Sequence, residues 1–258
     1  MTRKKSPSNS SAVIYGVHAV LETLKAGKRE IEEVFLSRGP MIHRELGPLV
    51  EDRPFPVTRV AADVLLSLCR SPHHQGIAAR VGPYPYVALD EFVSHADAER
   101  GPVLFLDEIQ DTSNLGNILR SGECLGAAGV ILPKDRSVQV TAAVEKAAAG
   151  ASAHIPVLRV VNIVRAMDRL KEIGYWIYAA DAGARETCFD RDLSGLVAFV
   201  LGSEGKGIRR LVKDRCDLGV AIPLAGRIGS LNVAQTSAIL LAESLRQRIA
   251  RVRYPLPK

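Results

Sequence analysis

Three short segments of the sequence combine glycine with side chains that can bind a ligand or take part in a reaction. They span residues 106–121, 201–208 and 222–234, and each follows or begins on an apolar run typical of a buried strand. Glycine allows a backbone to approach a ligand closely, and open α/β sheets bind their ligands beyond the carboxyl ends of the strands. The pattern therefore predicts a ligand site built from three strand-end loops.

The segment 201–208 (LGSEGKGI) has the context of a cofactor loop, because three glycines in six residues separate an apolar strand from a helix. It is not a Walker A loop, since Gly207 rather than Ser or Thr follows Lys206, and it does not match the dinucleotide fingerprint G-x-G-x-x-G. The carboxylate of Glu204 would repel a phosphate. We therefore expect a neutral or cationic ligand here, with a tight strand-to-helix turn as the simpler interpretation.

The other two segments open helices. In the first, we expect Asn114 to cap a helix that begins at Leu115 and carries Arg120 in its second turn. In the third, we expect Ser230 to cap the long last helix, residues 231–252. An ordinary capped helix is enough to explain either segment taken alone.

Strands and helices alternate regularly from residue 101 onward, which predicts an α/β fold with a parallel sheet covered by helices on both faces. The predicted strands span 103–106, 129–132, 155–160, 176–180, 196–201 and 218–222. The predicted helices span 115–125, 141–149, 163–173, 208–216 and 231–252.

The chain before residue 101 predicts a separate, smaller α/β domain. Its predicted helices span 17–26, 43–50 and 62–69, and its predicted strands span 31–36, 56–60 and 76–81. We divide the chain into a disordered basic arm (1–11), an N-terminal domain (12–82), a linker with a short helix at 89–98 (83–100) and a C-terminal domain (101–258).

Length, charge and the distribution of apolar and cysteine residues disfavour a membrane protein, a secreted protein and a metal-binding protein. A length of 258 residues favours two domains, and a net charge of +6 is compatible with a polyanionic partner. We expect no membrane span, because the longest apolar runs are far shorter than the roughly 18 residues that a bilayer requires. The first ten residues contain no secretory signal, and the four cysteines are scattered without a C-x-x-C pair. We therefore expect a cytoplasmic protein without a metal site.

Taken together, in this order and spacing, the three segments resemble the three motifs of the SpoU/TrmH-type RNA ribose 2′-O-methyltransferases, which belong to the SPOUT class. Those motifs read N-L-G-x-x-x-R-S, L/M-G-x-E-G-x-G and I-P-M/L-x-G-x-x-x-S-L-N-V. The likeness covers about residues 13–250, and the stretches 15–20, 74–78 and 134–137 resemble in particular the bacterial 23S rRNA guanosine 2′-O-methyltransferases. The matching motif residues are Asn114, Leu115, Gly116, Arg120, Ser121, Leu201, Gly202, Glu204, Gly205, Gly207, Ile222, Pro223, Gly226, Ser230, Leu231, Asn232 and Val233.

The resemblance implies a deep trefoil knot in the C-terminal domain that binds S-adenosylmethionine, and a reaction without a metal. It implies methyl transfer to the ribose 2′-hydroxyl of a guanosine in 23S rRNA, by a homodimer joined through the last helix. By resemblance, the cofactor-binding residues are Leu201, Gly202, Ile222 and Leu231. Arg120 would be the central catalytic residue, as a base or by holding a phosphate, assisted by Asn114, Glu204, Ser230 and Asn232.

The N-terminal domain resembles the family's RNA-binding domain. Plausible phosphate contacts there are Lys28, Arg29, Arg53 and Arg59, although a solvated basic surface explains each of them equally well. We expect His74 to have a structural role at the start of a strand.

Other functions remain open at this point. A tRNA ribose methyltransferase would keep the chemistry and change the RNA. A non-catalytic RNA-binding factor for ribosome assembly would keep only the fold, and the five intact catalytic motif residues argue against it. The absence of a dinucleotide fingerprint disfavours a nucleotide-binding oxidoreductase.

Overall fold

The structure, a computed structural model, describes residues 11–37, 43–50, 54–95 and 101–253. Residues 1–10 of the predicted arm, Arg53 and the end of the predicted helix 89–98 lie outside the described residues. The strands are β1 (Ala12–Tyr15), β2 (Ile31–Ser37), β3 (Val57–Val60), β4 (Ile77–Val81), β5 (Val103–Asp107), β6 (Gly129–Pro133), β7 (Val157–Val160), β8 (Trp176–Ala180), β9 (Val197–Gly202) and β10 (Leu218–Val220). The helices are α1 (Val17–Ala26), α2 (His43–Val50), α3 (Ala62–Cys69), α4 (Leu89–Ser94), α5 (Thr112–Cys124), α6 (Ala142–Ala147), α7 (Ile163–Glu172), α8 (Arg210–Lys213) and α9 (Val233–Arg253).

The chain divides into two units. The first runs to Pro85 and also contains Val140–His154, and the second contains Tyr86–Gln139 and the chain from Ile155 onward. The segment 140–154, which lies between β6 and β7 in the sequence, thus packs with the N-terminal unit, whereas the sequence-based division assigns it to the C-terminal domain.

The N-terminal unit is built on a four-stranded sheet in the order β1-β4-β2-β3, in which only β2 and β3 are parallel. Helix α1 ends where the sequence predicts, because Gly27 adopts a left-handed φ of +63°. Strand β1 was not predicted, since four residues next to a polar arm carry too little alternation to be recognised. His74 has the expected structural role, because its Nδ1 accepts a hydrogen bond from the Gly76 N–H at 3.0 Å.

Arg29 is not a phosphate contact. Its Nη1 lies 2.8 Å from Glu145 Oε1, and both side chains are about 95% buried, at 6% and 5% exposure. Its Nε also donates to the carbonyl of Gly82 at 2.7 Å. Burial raises the pKa of Glu145, and the charge of Arg29 opposes that rise. The partner of Arg29 lies 116 residues away in the sequence, so local composition gave no indication of this buried pair.

The second unit contains a six-stranded sheet in the order β10-β8-β9-β5-β6-β7, with every pairing parallel. This confirms the predicted α/β fold with a parallel sheet, and each predicted strand lies within two residues of its observed ends. Strand β5 is buried along its whole length, as a continuous apolar run predicts. Val103 and Phe105 pack with residues of α4, α7 and α8 in one core cluster, and helices α5 and α9 pack against each other.

Both predicted helix caps in this unit are wrong. Helix α5 begins at Thr112, because the Asp111 carboxylate accepts a hydrogen bond from the Asn114 N–H at 2.8 Å. Helix α9 begins at Val233, and Asn232 Oδ1 accepts from the Ala234 N–H at 2.8 Å. Each segment contains several good cap formers within a few residues, and the sequence alone did not rank them.

Candidate active site

A cavity of about 340 Å³ lies at the carboxyl ends of β8, β9 and β10. All four residues expected to bind a cofactor, Leu201, Gly202, Ile222 and Leu231, line this cavity, together with Glu204 and Ser230. Three further residues line the cavity: Ala180, which ends β8, and Asp181 and Ala182, which follow it. The sequence analysis did not assign them to the site. These residues could have been found from the sequence, because they follow a predicted strand and ligands bind beyond the carboxyl ends of the strands in such a sheet.

The glycine loop between β9 and α8 folds back tightly on itself. The Gly207 N–H donates to the Ser203 carbonyl at 2.9 Å, and these two residues form an antiparallel bridge. A Cβ atom on Gly202 would lie 2.1 Å from the carbonyl carbon of Gly207, which is too close for any side chain without a backbone shift. The loop therefore requires glycine at its base for close packing, as well as at Gly207 for a φ of +67°.

A second, more polar pocket of about 240 Å³ adjoins this cavity. The two share three lining residues, Ser203, Glu204 and Val233. The remaining lining residues of the polar pocket are Glu108, Ile109, Gln110, Asp111, Asn114 and Lys206. The site thus has an apolar and a polar compartment, with Glu204 at the boundary between them.

Three of the expected catalytic residues form one hydrogen-bonded network at that boundary. Glu204 Oε1 accepts from Asn114 Nδ2 at 3.0 Å and from Asn232 Nδ2 at 2.6 Å. Asn232 Nδ2 also lies 2.9 Å from Asn114 Oδ1. Two amide groups, from Asn114 in the first turn of α5 and from Asn232 just before α9, therefore hold one carboxylate oxygen. We refer to these three residues as the Glu204 network.

The other two expected catalytic residues are outside this network. Ser230 lines the apolar cavity but makes no hydrogen bond to the network residues. Arg120 is exposed on α5, and it makes no hydrogen bond or ion pair with any residue that the structure describes. Six residues separate it from Asn114, which corresponds to about 9 Å along a helix axis and about 120° around it.

A buried carboxylate at the end of β5 was missed by the sequence analysis. Asp107 is fully buried and accepts hydrogen bonds from the Arg209 N–H and Nε, both at 2.8 Å. The hydrogen bond with Asp107 raises the pKa of Arg209. A buried acidic residue requires a counter-ion or hydrogen-bond donors. The sequence indicated such a contact, because Asp107 ends an otherwise apolar strand.

Asp181 is a second carboxylate that the sequence analysis did not assign to the site. Its Oδ2 lies 2.5 Å from Lys213 Nζ, and its Oδ1 accepts from the Gly183 N–H at 3.0 Å. The hydrogen bond from Lys213 lowers the pKa of Asp181 below its usual 3.8. The cavity is therefore lined by an ionised carboxylate at neutral pH.

Comparison with known proteins places this site in a family. A model described as the SpoU rRNA Methylase family matches residues 101–242, and a model described as RNA 2′-O ribose methyltransferase substrate binding matches residues 13–87. A Staphylococcus haemolyticus (strain JCSC1435) protein assigned to the TrmH family of tRNA/rRNA methyltransferases is 37% identical over 241 residues, covering 92% of this chain and 96% of that protein. YacO of Bacillus subtilis (strain 168), assigned to the same family, is 36% identical over 239 residues, covering 91% and 95%.

The solved structure of the SpoU methyltransferase AviRb from Streptomyces viridochromogenes in complex with the cofactor AdoMet has a TM-score of 0.80 at 23% identity, covering 93% of this chain and 92% of that one. The AdoMet-bound rRNA methyltransferase from Sinorhizobium meliloti has a TM-score of 0.77 at 24% identity, covering 92% and 87%. The chain thus has the fold of the SPOUT-class methyltransferases, and the neighbours are consistent with the knot that the resemblance implies. The chain belongs to the SpoU rRNA methylase family, whose members are RNA methyltransferases that use S-adenosylmethionine.

The residues around the cavity fit this cofactor. S-adenosylmethionine carries a sulfonium and an ammonium group, and the carboxylates of Asp181 and Glu204 line the cavity. The side chains of Leu201, Ile222 and Leu231 offer apolar surface for an adenine ring. When bound, the cofactor supplies an activated methyl group. Within the described ranges, no set of three or more His, Cys, Asp and Glu side chains is arranged to hold a metal ion, and no helix is both long and apolar enough to cross a bilayer.

Proposed function

We propose that this chain transfers a methyl group from S-adenosylmethionine to the ribose 2′-hydroxyl of a guanosine in 23S rRNA. The observation that carries the proposal is the position of the Glu204 network between an apolar cavity that suits the cofactor and a polar pocket whose hydrogen-bonding side chains suit a ribose. Methyl transfer requires donor and acceptor to be held in line while the hydroxyl loses its proton. A carboxylate fixed between the two compartments meets both requirements.

The roles of the individual residues follow from this arrangement. Leu201, Gly202, Ile222 and Leu231 hold the cofactor. Glu204 Oε1 is occupied by two amide donors, whereas no described residue donates to Oε2, so Oε2 accepts the hydrogen bond of the ribose hydroxyl. Asn114 and Asn232 keep the carboxylate in that orientation.

Arg120 and Ser230 act on the incoming RNA. A guanidinium keeps its proton at neutral pH and is a poor base. Because Arg120 is exposed and without an ion-pair partner among the described residues, it is suited to bind a backbone phosphate of the target nucleotide. Ser230, at the rim of the cavity, orients the ribose or the cofactor.

RNA is the macromolecular substrate, and the N-terminal unit binds it. The match of residues 13–87 to a substrate-binding model and the net charge of +6 support this assignment. The segments that resemble 23S rRNA guanosine methyltransferases favour rRNA. The names of the relatives include both tRNA and rRNA, which makes tRNA the second candidate. We place the active form in the cytoplasm as a homodimer.

Mapping of ribose methylation by mass spectrometry tests this function. Unmodified 23S rRNA and bulk tRNA are each incubated with the pure protein and S-adenosylmethionine, with a Glu204→Gln variant as the inactive control. One methylated guanosine in 23S rRNA is the expected result. Methylation of tRNA alone would keep the reaction and replace the substrate. No methylation of either RNA, without cofactor binding by calorimetry, would favour a non-catalytic RNA-binding factor.

A further inference from the structure

Asp107 contacts both ends of the glycine loop. In the sheet, Asp107 is the ladder partner of Gly202, the last residue of β9, at which the loop begins. Its carboxylate binds Arg209, the residue at which the loop ends and α8 starts. Asp107, at the end of the central strand β5, therefore pairs with the start of the loop through its backbone and with the end of the loop through its buried carboxylate.

The contact with Arg209 is extensive. Asp107 Oδ2 accepts from the Arg209 N–H at 2.8 Å, while Oδ1 accepts from Nε at 2.8 Å and lies 2.5 Å from Nη2. The remaining guanidinium nitrogen, Nη1, lies 3.5 Å from Glu108 Oε1. Asp107 is completely buried, whereas the Arg209 side chain is 41% exposed. A charge buried this deeply is strongly stabilised by a forked partner and costly to leave without one.

Between these two ends, Ile208 packs against the core of the second unit, whereas the middle of the loop has few contacts. Residues 204–207 are all exposed, and Cβ atoms on Gly205 and Gly207 would meet no neighbouring atom. Inside the loop, the backbone makes the Gly207 to Ser203 hydrogen bond. Its tip is held from outside through Glu204, by the amides of Asn114 and Asn232.

We propose that the Asp107–Arg209 ion pair is a positioning element that keeps the 203–208 loop closed over S-adenosylmethionine. This inference rests on the proposed function, in which S-adenosylmethionine occupies the cavity that is lined in part by Ser203, Glu204, Gly205 and Gly207 of this loop. Asp107 and Arg209 do not touch the reacting atoms. They set the fraction of molecules in which the loop is closed, and the apparent cofactor affinity is reduced by that fraction when the pair is broken.

The test compares Arg209→Gln with Arg210→Gln, a matched control at the next position. The exposed guanidinium of Arg210 pairs, within the part of the chain that the structure describes, only with Asp214, four residues further on. Cofactor binding is measured by calorimetry without RNA, and thermal unfolding is recorded for each variant. We expect Arg209→Gln to raise the Kd for S-adenosylmethionine by about tenfold or more, and Arg210→Gln to stay within about twofold of the unmodified protein. Arg209→Lys keeps the cation without the fork, so an intermediate Kd is expected.

Kinetics then separate positioning from a merely structural role. If the pair positions the loop, the KM for S-adenosylmethionine rises while kcat at saturating cofactor is largely recovered. If the pair only stabilises the fold, Tm falls and the active fraction drops, but the KM of the surviving enzyme is unchanged, which would overturn the inference. Should Arg209→Gln fail to fold, the double variant Asp107→Asn with Arg209→Gln removes the buried charge as well and is measured in the same way.

The two possible failures are distinguishable. If the unmodified protein does not bind S-adenosylmethionine, the proposed function fails. If it binds, and Arg209→Gln binds with equal affinity, the proposed function stands and the positioning role of the ion pair is rejected.

Discussion

The side-chain amide of Asn232 donates to Oδ1 of Asn114 at 2.9 Å, across 118 residues of sequence. The same nitrogen lies 2.6 Å from Glu204 Oε1, and the opposite end of the Asn232 side chain caps α9 through the Ala234 N–H. One amide group therefore both starts a 21-residue helix and orients the carboxylate of the site. A substitution at Asn232 can therefore change the orientation of Glu204 without removing the cap of α9.

Replacing Asn232 with Asp keeps the oxygen that caps α9 and replaces the donor nitrogen with a second acceptor facing Glu204. We expect kcat to fall about 100-fold, since a preorganised donor is lost, while the cap of α9 is kept, so that a fall in Tm reflects only the repulsion between the two carboxylates. Steady-state kinetics and thermal unfolding measure the two effects. Asn162→Asp is the control, because Asn162 Oδ1 caps α7 outside the site by accepting from the Arg165 N–H. Equal activity of the two variants would contradict the proposed role.

Replacing Arg120 with Ala should lower the rate of methylation by about 1,000-fold, because the guanidinium that we propose to bind the RNA is lost. The affinity for S-adenosylmethionine should stay within a few-fold, since Arg120 does not line the cavity. Methyl transfer from labelled cofactor and calorimetry measure these two quantities. Arg165→Ala removes another exposed arginine, on α7, and should leave turnover unchanged. Near-normal turnover of the Arg120 variant would rule out its assignment as the central catalytic residue.

Replacing Gly202 with Ala should weaken S-adenosylmethionine binding by about tenfold or more, because the new methyl group forces the base of the loop apart. Calorimetry without RNA measures this effect directly. Gly195→Ala is the control, since a Cβ atom at that position meets no neighbour within 4 Å. If Gly202→Ala bound the cofactor as tightly as the control, close packing at the loop base would not matter for binding.

Replacing Arg29 with Met should destabilise the N-terminal unit by about 3–5 kcal/mol at neutral pH, because it leaves the buried carboxylate of Glu145 without a counter-ion. Burial already raises the pKa of Glu145 above its usual 4.5, and Arg29 opposes that rise. In the folded variant, the pKa therefore lies higher still.

The sign of the pH effect follows from this shift. A carboxyl group whose pKa is raised by folding favours the folded state only while it is protonated. The free energy of unfolding of the variant should therefore fall as pH rises above 4.5, relative to the unmodified protein. Urea unfolding at about pH 4 and about pH 7 measures the difference. Adding Glu145→Gln should recover much of the loss at the higher pH, and a pH-independent loss would show that the buried charge is not its cause.

Light scattering tests the proposed homodimer. We expect active enzyme to have the mass of two chains at the concentration used for the methylation assay, and dilution to lower specific activity once the dimer dissociates. Full activity of a species with the mass of one chain would contradict the dimer. The Arg165→Ala variant, whose substitution lies on α7 rather than on the last helix, serves as the control for both mass and activity.

Local structure was largely predictable from the sequence, because apolar periodicity and helix stop signals act within a few residues. Strand β5 was expected from its continuous apolar run, and α1 was expected to end at Gly27. The sheet order β10-β8-β9-β5-β6-β7 was not expected, because neighbouring strands in a parallel sheet need not be neighbours in sequence. For the same reason, β8 and its following residue Asp181 were not linked to the site.

The sequence by itself determined which residues could build the site, because the three motifs and their glycines are local patterns. Leu201, Gly202, Ile222 and Leu231 were expected together, and they line one cavity. Only the tertiary structure decided which side chains meet. In the folded chain, Asn114, Glu204 and Asn232 form one hydrogen-bonded network, and Arg120 is not part of it. Asp107 pairs with Arg209 across 102 residues of sequence. Such pairings depend on strand order and helix packing, and therefore on contacts between parts of the chain that no local pattern connects.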